Sequence, residues 1–330
     1  MFNAKFRHLF TPLVPSKLDL GQKELLSLMR EDNSKAKTVF KAGPGKGWST
    51  LTTEFNRWFR IYGLDDIENQ LYNERFSSFL PGRKAYYEFA LHFFYRKICE
   101  HPNSGEILSR LRVTQLSKIK KNEIVIDGLS VSWDLLLSVN EILVMSEFEK
   151  EILNGRLVIA DLGSGWGRLG HVLMRINPRH SYIAFDLPES LLIAHSYLPT
   201  QNLNVTSYSY LQARMKNYFE KDYFIGKPGF HFLGSQMLEF LESGSIDLFV
   251  NIASFGEMQF SQVAEYFRLI DEKCLGFFYT KQIKHDNTKD GFISETGSWP
   301  YPKNWQLVFN GTPVYTDSYF ESIYKVSAMK

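Results

Sequence analysis

The stretch DLGSGWGRLG, Asp161 to Gly170, follows directly on the apolar run Leu157-Val-Ile-Ala160 and places glycine at 163, 165 and 167. A short, continuous apolar run of this kind reads as a strand buried on both faces. Glycine at every second position behind it describes a chain that turns sharply with its backbone bare. Beyond the turn Leu169, Val172, Leu173 and Ile176 recur at helical spacing and stop before Pro178. A strand, a bare turn and a helix in that order form the ligand-facing unit of an open α/β sheet, whose sites lie at the C-terminal ends of the strands.

The same alternation continues. Ser181–Phe185, His231–Leu233, Ile246–Val250 and Leu275–Thr280 read as further strands. Pro188 opens a helix that Pro199 closes, and Phe260, Val263, Ala264, Phe267 and Ile270 mark one face of another. The pattern predicts a parallel, doubly wound sheet. At the end, Trp305–Phe309, Asn310-Gly311 and Pro313 to Val326 carry a hairpin signal, so an antiparallel pair should finish the sheet.

The N-terminal part differs in period. Residues 1–50 read as an arm and a loop ending in the glycine-rich run at 43–47, which lacks Walker spacing and reads as a flexible turn. Phe55, Trp58, Phe59 and Tyr62 form one helical stripe, and Tyr87, Ala90, Leu91, Phe94 and Ile98 a second. Glu123–Gly128 reads as a short strand entering a turn, and Ser132 opens an apolar helix reaching roughly Glu151. This divides the chain into a mainly helical cap region, 1–130, and a sheet domain, 131–330.

Composition narrows the partners. With 38 Lys and Arg against 36 Asp and Glu, the 330-residue chain has a balance of +2, so no long-range field points to nucleic acid or an anionic membrane. The basic stretch Lys118–Lys121 reads as a solvated face. Two distant cysteines, Cys99 and Cys274, argue against a disulfide framework or structural zinc and fit a reducing compartment. No stretch approaches the roughly 20 apolar residues of a membrane span, so a soluble, cytoplasmic protein is expected. Aromatic residues make up 15%, enough for a core and a pocket lining.

A dinucleotide dehydrogenase would show G-x-G-x-x-G, but the third glycine comes one residue early and Arg168 stands where it would be. The pattern from Asp161 to Gly167 instead resembles the first motif of the Rossmann-like, S-adenosylmethionine-dependent class I methyltransferases. Asp186 ends the second strand, 25 residues after Asp161, where an acid can accept both ribose hydroxyls of an adenosyl ligand. The resemblance implies S-adenosylmethionine as cofactor. It also implies cofactor contacts from Asp161, Gly163, Gly165, Gly167 and Asp186, from Ser235 and Gln236 behind the third strand, and from Asn251 behind the fourth. In it the glycines leave room for the methionine part of the cofactor, and Asp161 orients its amino end.

The fourth-strand exit, Asn251–Met258, has no N/D-P-P-Y/F tetrapeptide, which argues against nucleobase methylation. Taken together, DLGSGWGRLG, FDLP at Phe185–Pro188, FLGSQ at Phe232–Gln236 and N-x-x-S-F-x-E-M at Asn251–Met258 resemble the sugar O-methyltransferase family over residues 130–285. That resemblance implies methyl transfer to a sugar hydroxyl in bacterial polysaccharide or glycoside biosynthesis. A non-sugar acceptor, or a catalytically silent cofactor-binding partner of a glycan assembly complex, stays open. The acceptor hydroxyl needs a base, for which Glu257 and His285 are the candidates. Asp286 and Asp290 could hold a divalent ion, but no metal is expected. Tyr86 and Tyr87, beside Arg83, would stack on the sugar or pack the core. A sugar or glycan is the expected partner, nucleic acid and an integral membrane segment are not, and a homo-oligomer is left open.

Overall fold

A computed structural model describes residues 17–35, 46–65, 67, 84–114, 123–201, 203, 221–284 and 299–326. Its described residues begin with four helices, α1 (Leu20–Lys35), α2 (Lys46–Ile61), α3 (Lys84–Cys99) and α4 (Ser104–Thr114). Their apolar stripes face inward as the periodicity requires: Trp58 and Phe59 of α2 and Tyr87, Leu91, Phe94 and Ile98 of α3 are buried. Tyr62 departs from its stripe and is exposed. Lys46 and Gly47, read as part of a loop, open α2 instead. The preceding residues 36–45 and the basic stretch Lys118–Lys121 lie outside the described residues.

The strand expected near 124 is one half of a hairpin, β1 (Ile124–Ile126) with β2 (Leu129–Val131). Asp127 and Gly128 both take positive φ, 47° and 75°, the combination that closes a two-residue turn with the twist of the flanking strands. Ser132 then caps α5 (Trp133–Phe148), its Oγ accepting the Leu135 N–H at 3.2 Å. Helix α5 is buried nearly all round, polar residues included: Asp134, Ser138, Asn140 and Glu141 are as inaccessible as its leucines. A short turn of helix, α6 (Glu151–Asn154), leads into the sheet.

The sheet contains β3 (Val158–Leu162), β4 (Ser181–Asp186), β5 (Gly229–Gly234), β6 (Ile246–Ile252), β7 (Cys274–Ile283), β8 (Gln306–Gly311) and β9 (Tyr319–Lys325), in the spatial order β5-β4-β3-β6-β7-β9-β8. Pairings from β5 through β7 are parallel, and β9 runs antiparallel between β7 and β8. Strands β3, β4 and β5 are buried at every position, which is why they read as unbroken apolar runs. The antiparallel finish is present, but its turn is not Asn310-Gly311. Both residues are paired within β8, opposite Ser322 and Glu321, and the chain reverses through 312–318. Asn310 is held there by the Ser322 hydroxyl at 2.9 Å, so tertiary pairing overrides a local turn preference.

The connecting helices are α7 (Arg168–Ile176), α8 (Pro188–Tyr197), α9 (Lys221–Ile225) and α10 (Phe260–Lys273). Helix α7 presses so closely on the sheet that a Cβ at Gly170 would lie 2.6 Å from both Tyr182 and Phe230. The N-terminal helices take two positions. Helices α3 and α4 pack behind α5 and α7. Helices α1 and α2 instead reach α8 and the turns that leave β5 and β6, at the C-terminal edge. Arg30 of α1 anchors them, bonding Glu189 in the first turn of α8 at 2.7 Å and Asn56 of α2 at 2.6 Å.

Candidate functional site

Parallel strands end together, so everything that leaves β3, β4, β5, β6 and β7 converges on one rim of the sheet. The glycine loop leaves β3 there. Gly163, Gly165 and Gly167 have φ of 79°, 58° and 84°, the left-handed region in which any side chain is strained. Their surroundings differ. A Cβ at Gly163 would meet the Ser254 side chain at 2.2 Å, whereas one at Gly165 would find no atom within 4 Å. Gly163 is therefore required by the protein's own packing, and Gly165 is where the loop opens onto free space.

The end of β4 holds the loop in place. Phe185 O accepts the N–H groups of Gly163 (2.8 Å) and Ser164 (3.3 Å), and Asp186 Oδ2 accepts that of Gly165 at 2.7 Å. The other oxygen of Asp186 accepts the Leu187 N–H at 2.6 Å. Burial pushes the Asp186 carboxyl up to about 6, against the pull of these N–H groups. Asp161 lies beneath the loop on the same face of the sheet. Burial pushes it further, up to about 7, although the Tyr182 hydroxyl donates to it and the Arg168 guanidinium favours its charged form. The hydroxyls of Ser164, in the loop, and Ser254, behind β6, are buried without a hydrogen-bond partner.

The exit of β6 is strained. Ala253 has φ of 53°, an uncommon backbone for a residue with a side chain, and such outliers gather at functional sites. Its N–H is held by Lys281 O at 2.7 Å, and the turn it makes brings Ser254 under Gly163. Asn251 ties this exit to its neighbours: Nδ2 donates to Leu162 O at 2.7 Å, and Oδ1 accepts from Gln282 at 2.6 Å and from the Phe255 N–H at 3.3 Å. Glu257 ends the following turn, Phe255–Glu257, and is exposed at the rim. Behind β5, Ser235 and Gln236 open the turn Ser235–Phe240, with Ser235 buried beside the Tyr266 hydroxyl.

The structure thus brings Asp161, the three glycines, Asp186, Ser235, Gln236, Asn251 and Glu257 to one rim. His285, Asp286, Asp290 and Arg83 lie outside the described residues. Tyr87 packs in the core, its hydroxyl accepting the Trp133 N–H at 3.3 Å, while Tyr86 is exposed on α3. Among the described residues no group of three or more His, Cys, Asp or Glu could hold a metal ion, and no helix is long and apolar enough to cross a membrane.

One group at this rim is nearly silent in the sequence. Glu141 of α5, fully buried, is bonded at once by Arg168, the first residue of α7, at 3.0 Å and by Lys281 of β7. Burial would raise the Glu141 carboxyl, but the two cations outweigh it and hold it below the usual range; burial lowers Lys281, which Glu141 partly restores. Tyr315, from the connection between β8 and β9, lies over Lys281 with 5.5 Å from the ammonium to its ring centre, and packs with Phe94 and Trp133 at 5.0 and 5.9 Å. The one signal in the sequence was Arg168, standing where a dehydrogenase has glycine.

No family model matches the sequence, and no curated protein matches it. Among solved structures the chain is similar to a candidate RNA methyltransferase from Pyrococcus horikoshii, at 14% identity over 66% of this chain and 98% of the other, with a TM-score of 0.38. It is also similar to an S-adenosylmethionine-dependent methyltransferase from Aquifex aeolicus, at 14% identity over 54% and 87%, with a TM-score of 0.33. A candidate type 11 methyltransferase from Sulfolobus solfataricus gives 14% over 56% and 94%, with a TM-score of 0.34. At these scores the likeness adds nothing to what the strands themselves show. By strand order, strand direction and the antiparallel hairpin at its end, the sheet has the Rossmann-like class I methyltransferase fold.

Proposed function

We propose that the protein is an S-adenosylmethionine-dependent methyltransferase that acts on a sugar hydroxyl in bacterial polysaccharide or glycoside biosynthesis. The observation that carries the cofactor half is the loop at 163–167, clamped by Asp186 on one side and open at Gly165 on the other. The donor set suits such a ligand. Two buried carboxylates lie near the C-terminal ends of adjacent strands on one face, and two buried hydroxyls, one in the loop and one behind β6, lack protein partners.

When bound, S-adenosylmethionine supplies a methyl group on positively charged sulfur. The chain's own residues do the rest. Asp186 accepts one backbone N–H through each oxygen and is also bonded by the Ser190 hydroxyl, and the carboxylate capacity left over would accept from the ribose. Asp161 would hold the amino end, and Ser235 and Gln236 would hold the adenine edge. Asn251 fixes the strained β6 exit, from which Glu257 would take the proton of the acceptor hydroxyl as its oxygen bonds the methyl carbon and the carbon–sulfur bond breaks, leaving a neutral thioether. His285 is the alternative base. The sugar acceptor is supported by the likeness of Asn251–Met258, FDLP and FLGSQ to the sugar O-methyltransferases.

Isothermal titration with S-adenosylhomocysteine tests the cofactor. Wild type should bind, and Gly165→Arg, which fills the open space, and Asp186→Ala, which removes the clamp, should not. No binding by wild type, or wild-type binding by both variants, sinks the assignment. Labelled cofactor offered with nucleotide sugars, oligosaccharides and phenols tests the acceptor: label in the phenols alone replaces the sugar with a non-sugar acceptor.

A further inference from the structure

We propose that Arg168, held by Glu141 against Lys281, is a positioning residue for the amino-acid end of the cofactor: it fixes the exit of the glycine loop and keeps a positive charge beside Asp161. The inference rests on the cofactor assignment above and concerns residues that assignment does not use. Its ground is geometric. Arg168 follows Gly167 directly, so its backbone is the end of the loop, while its side chain runs away from the loop into α5. There Nη2 bonds Glu141 at 3.0 Å and Nη1 bonds the Ser138 hydroxyl at 2.7 Å. Ser138 in turn donates to Asp134 O at 2.9 Å, so the guanidinium is seated on two successive turns of one buried helix.

Lys281 completes the chain of contacts. Its ammonium bonds Glu141, and its carbonyl accepts the N–H of the strained Ala253 at 2.7 Å. A single buried carboxylate therefore joins the loop behind β3 to the exit of β6, where the acceptor side begins. Two cations share that carboxylate, and the carboxylates of Asp134 and Glu321 act on them as well, so what reaches a neighbour is set by position and not by a surplus of charge. Asp161 is one such neighbour. The groups that act on it are Tyr182 and Asp186 from β4, Arg168 from α7 and Glu141 from α5. Of these, Arg168 and the Tyr182 hydroxyl favour its ionised form, and the two carboxylates oppose it.

The consequence is a pH dependence of binding with a fixed sign. An ionised Asp161 attracts the ligand's ammonium and a protonated one does not, so affinity should fall as pH drops through the Asp161 value of about 7, before Asp186, at about 6, is protonated in turn. Taking away the guanidinium removes an opposite charge, so the step should move to higher pH, by roughly one unit or more.

The test is calorimetric titration of S-adenosylhomocysteine from about pH 5.5 to about pH 8.5, a window spanning the Asp161 value, with wild type, Arg168→Met, Arg168→Lys and Lys281→Met, and near-ultraviolet circular dichroism to verify the fold. Arg168→Met should shift the midpoint upward, and Lys281→Met, which leaves Glu141 with one cation in place of two, should shift it the same way by less. Arg168→Lys, which keeps the charge and loses the fork, should leave the midpoint near that of wild type while weakening affinity. A variant that merely loosens the fold lowers affinity at every pH and leaves the midpoint in place. If Arg168→Met does not fold, the other two variants decide. Wild-type binding with an unmoved midpoint in every folded charge-removing variant overturns the positioning role alone; absence of wild-type binding at all pH values overturns the cofactor assignment and this inference with it.

Discussion

The glycine loop and the Glu141–Arg168–Lys281 cluster meet at Arg168, yet they are built in opposite ways. The loop is a run of consecutive residues whose shape follows from three left-handed glycines and the acceptors at the end of the next strand. The cluster takes one charge each from α5, α7 and β7; Glu141 is 27 residues from one partner and 140 from the other. A locally encoded element should tolerate change wherever it faces open space. A cluster assembled by tertiary packing should fail as a unit, because each member is satisfied only by the others.

The sharpest way to break that contrast is at Glu141. Glu141→Ala leaves Arg168 and Lys281 buried without their shared carboxylate, and removing one partner of a buried ion pair costs about 3–5 kcal/mol. Denaturant unfolding should show a midpoint far below that of wild type. Replacing all three residues by methionine should recover much of the loss, since no uncompensated charge is left inside. A loss below about 1 kcal/mol for Glu141→Ala, the level of an exposed pair, would mean the three charges do not act together.

Within the loop the contrast becomes a pair of alanines. Gly163→Ala and Gly165→Ala both force a side chain into left-handed backbone, which costs about 1–2 kcal/mol. Only Gly163 adds a collision with Ser254, worth about 1–3 kcal/mol more as overpacking. Thermal unfolding should rank Gly163→Ala clearly below Gly165→Ala, and Ser254→Gly should rescue the first while doing nothing for the second. Equal melting temperatures would show that backbone strain alone sets the loop.

These two designs also explain what the sequence could and could not tell. The apolar runs of β3 through β7, the glycine turn and the acid at the end of β4 are local signals, and each lies where its spacing predicted. Asn310-Gly311 is a local signal overruled, because pairing with β9 offers both residues ladder partners that a turn would forfeit. The reason for Gly163 was legible only in part: the bare backbone was foreseen, but the neighbour that needs the space is Ser254, brought there by positive φ at an alanine that nothing in the sequence marks. Glu141 and Lys281 gave no signal at all. A glutamate within an apolar helix and a lysine at a strand end share no motif or spacing, and only packing brings them together.

The smallest expected effect on stability, and the most telling for chemistry, belongs to the other glutamate of the rim. Glu257 is exposed at the exit of β6, so Glu257→Gln should change unfolding free energy by no more than about 0.5 kcal/mol. As the base it should nevertheless lower turnover by about 10²–10⁴-fold, with S-adenosylhomocysteine binding unchanged. Glu141→Ala should do the reverse, spoiling the fold and the cofactor affinity together. The same residue type at opposite extremes of burial then separates the two kinds of contribution: a group that holds the site cannot be removed without disturbing the protein, whereas a group that takes a proton can. Turnover that survives in Glu257→Gln would move the base away from the β6 exit and leave His285, which follows β7 in the sequence, as the candidate.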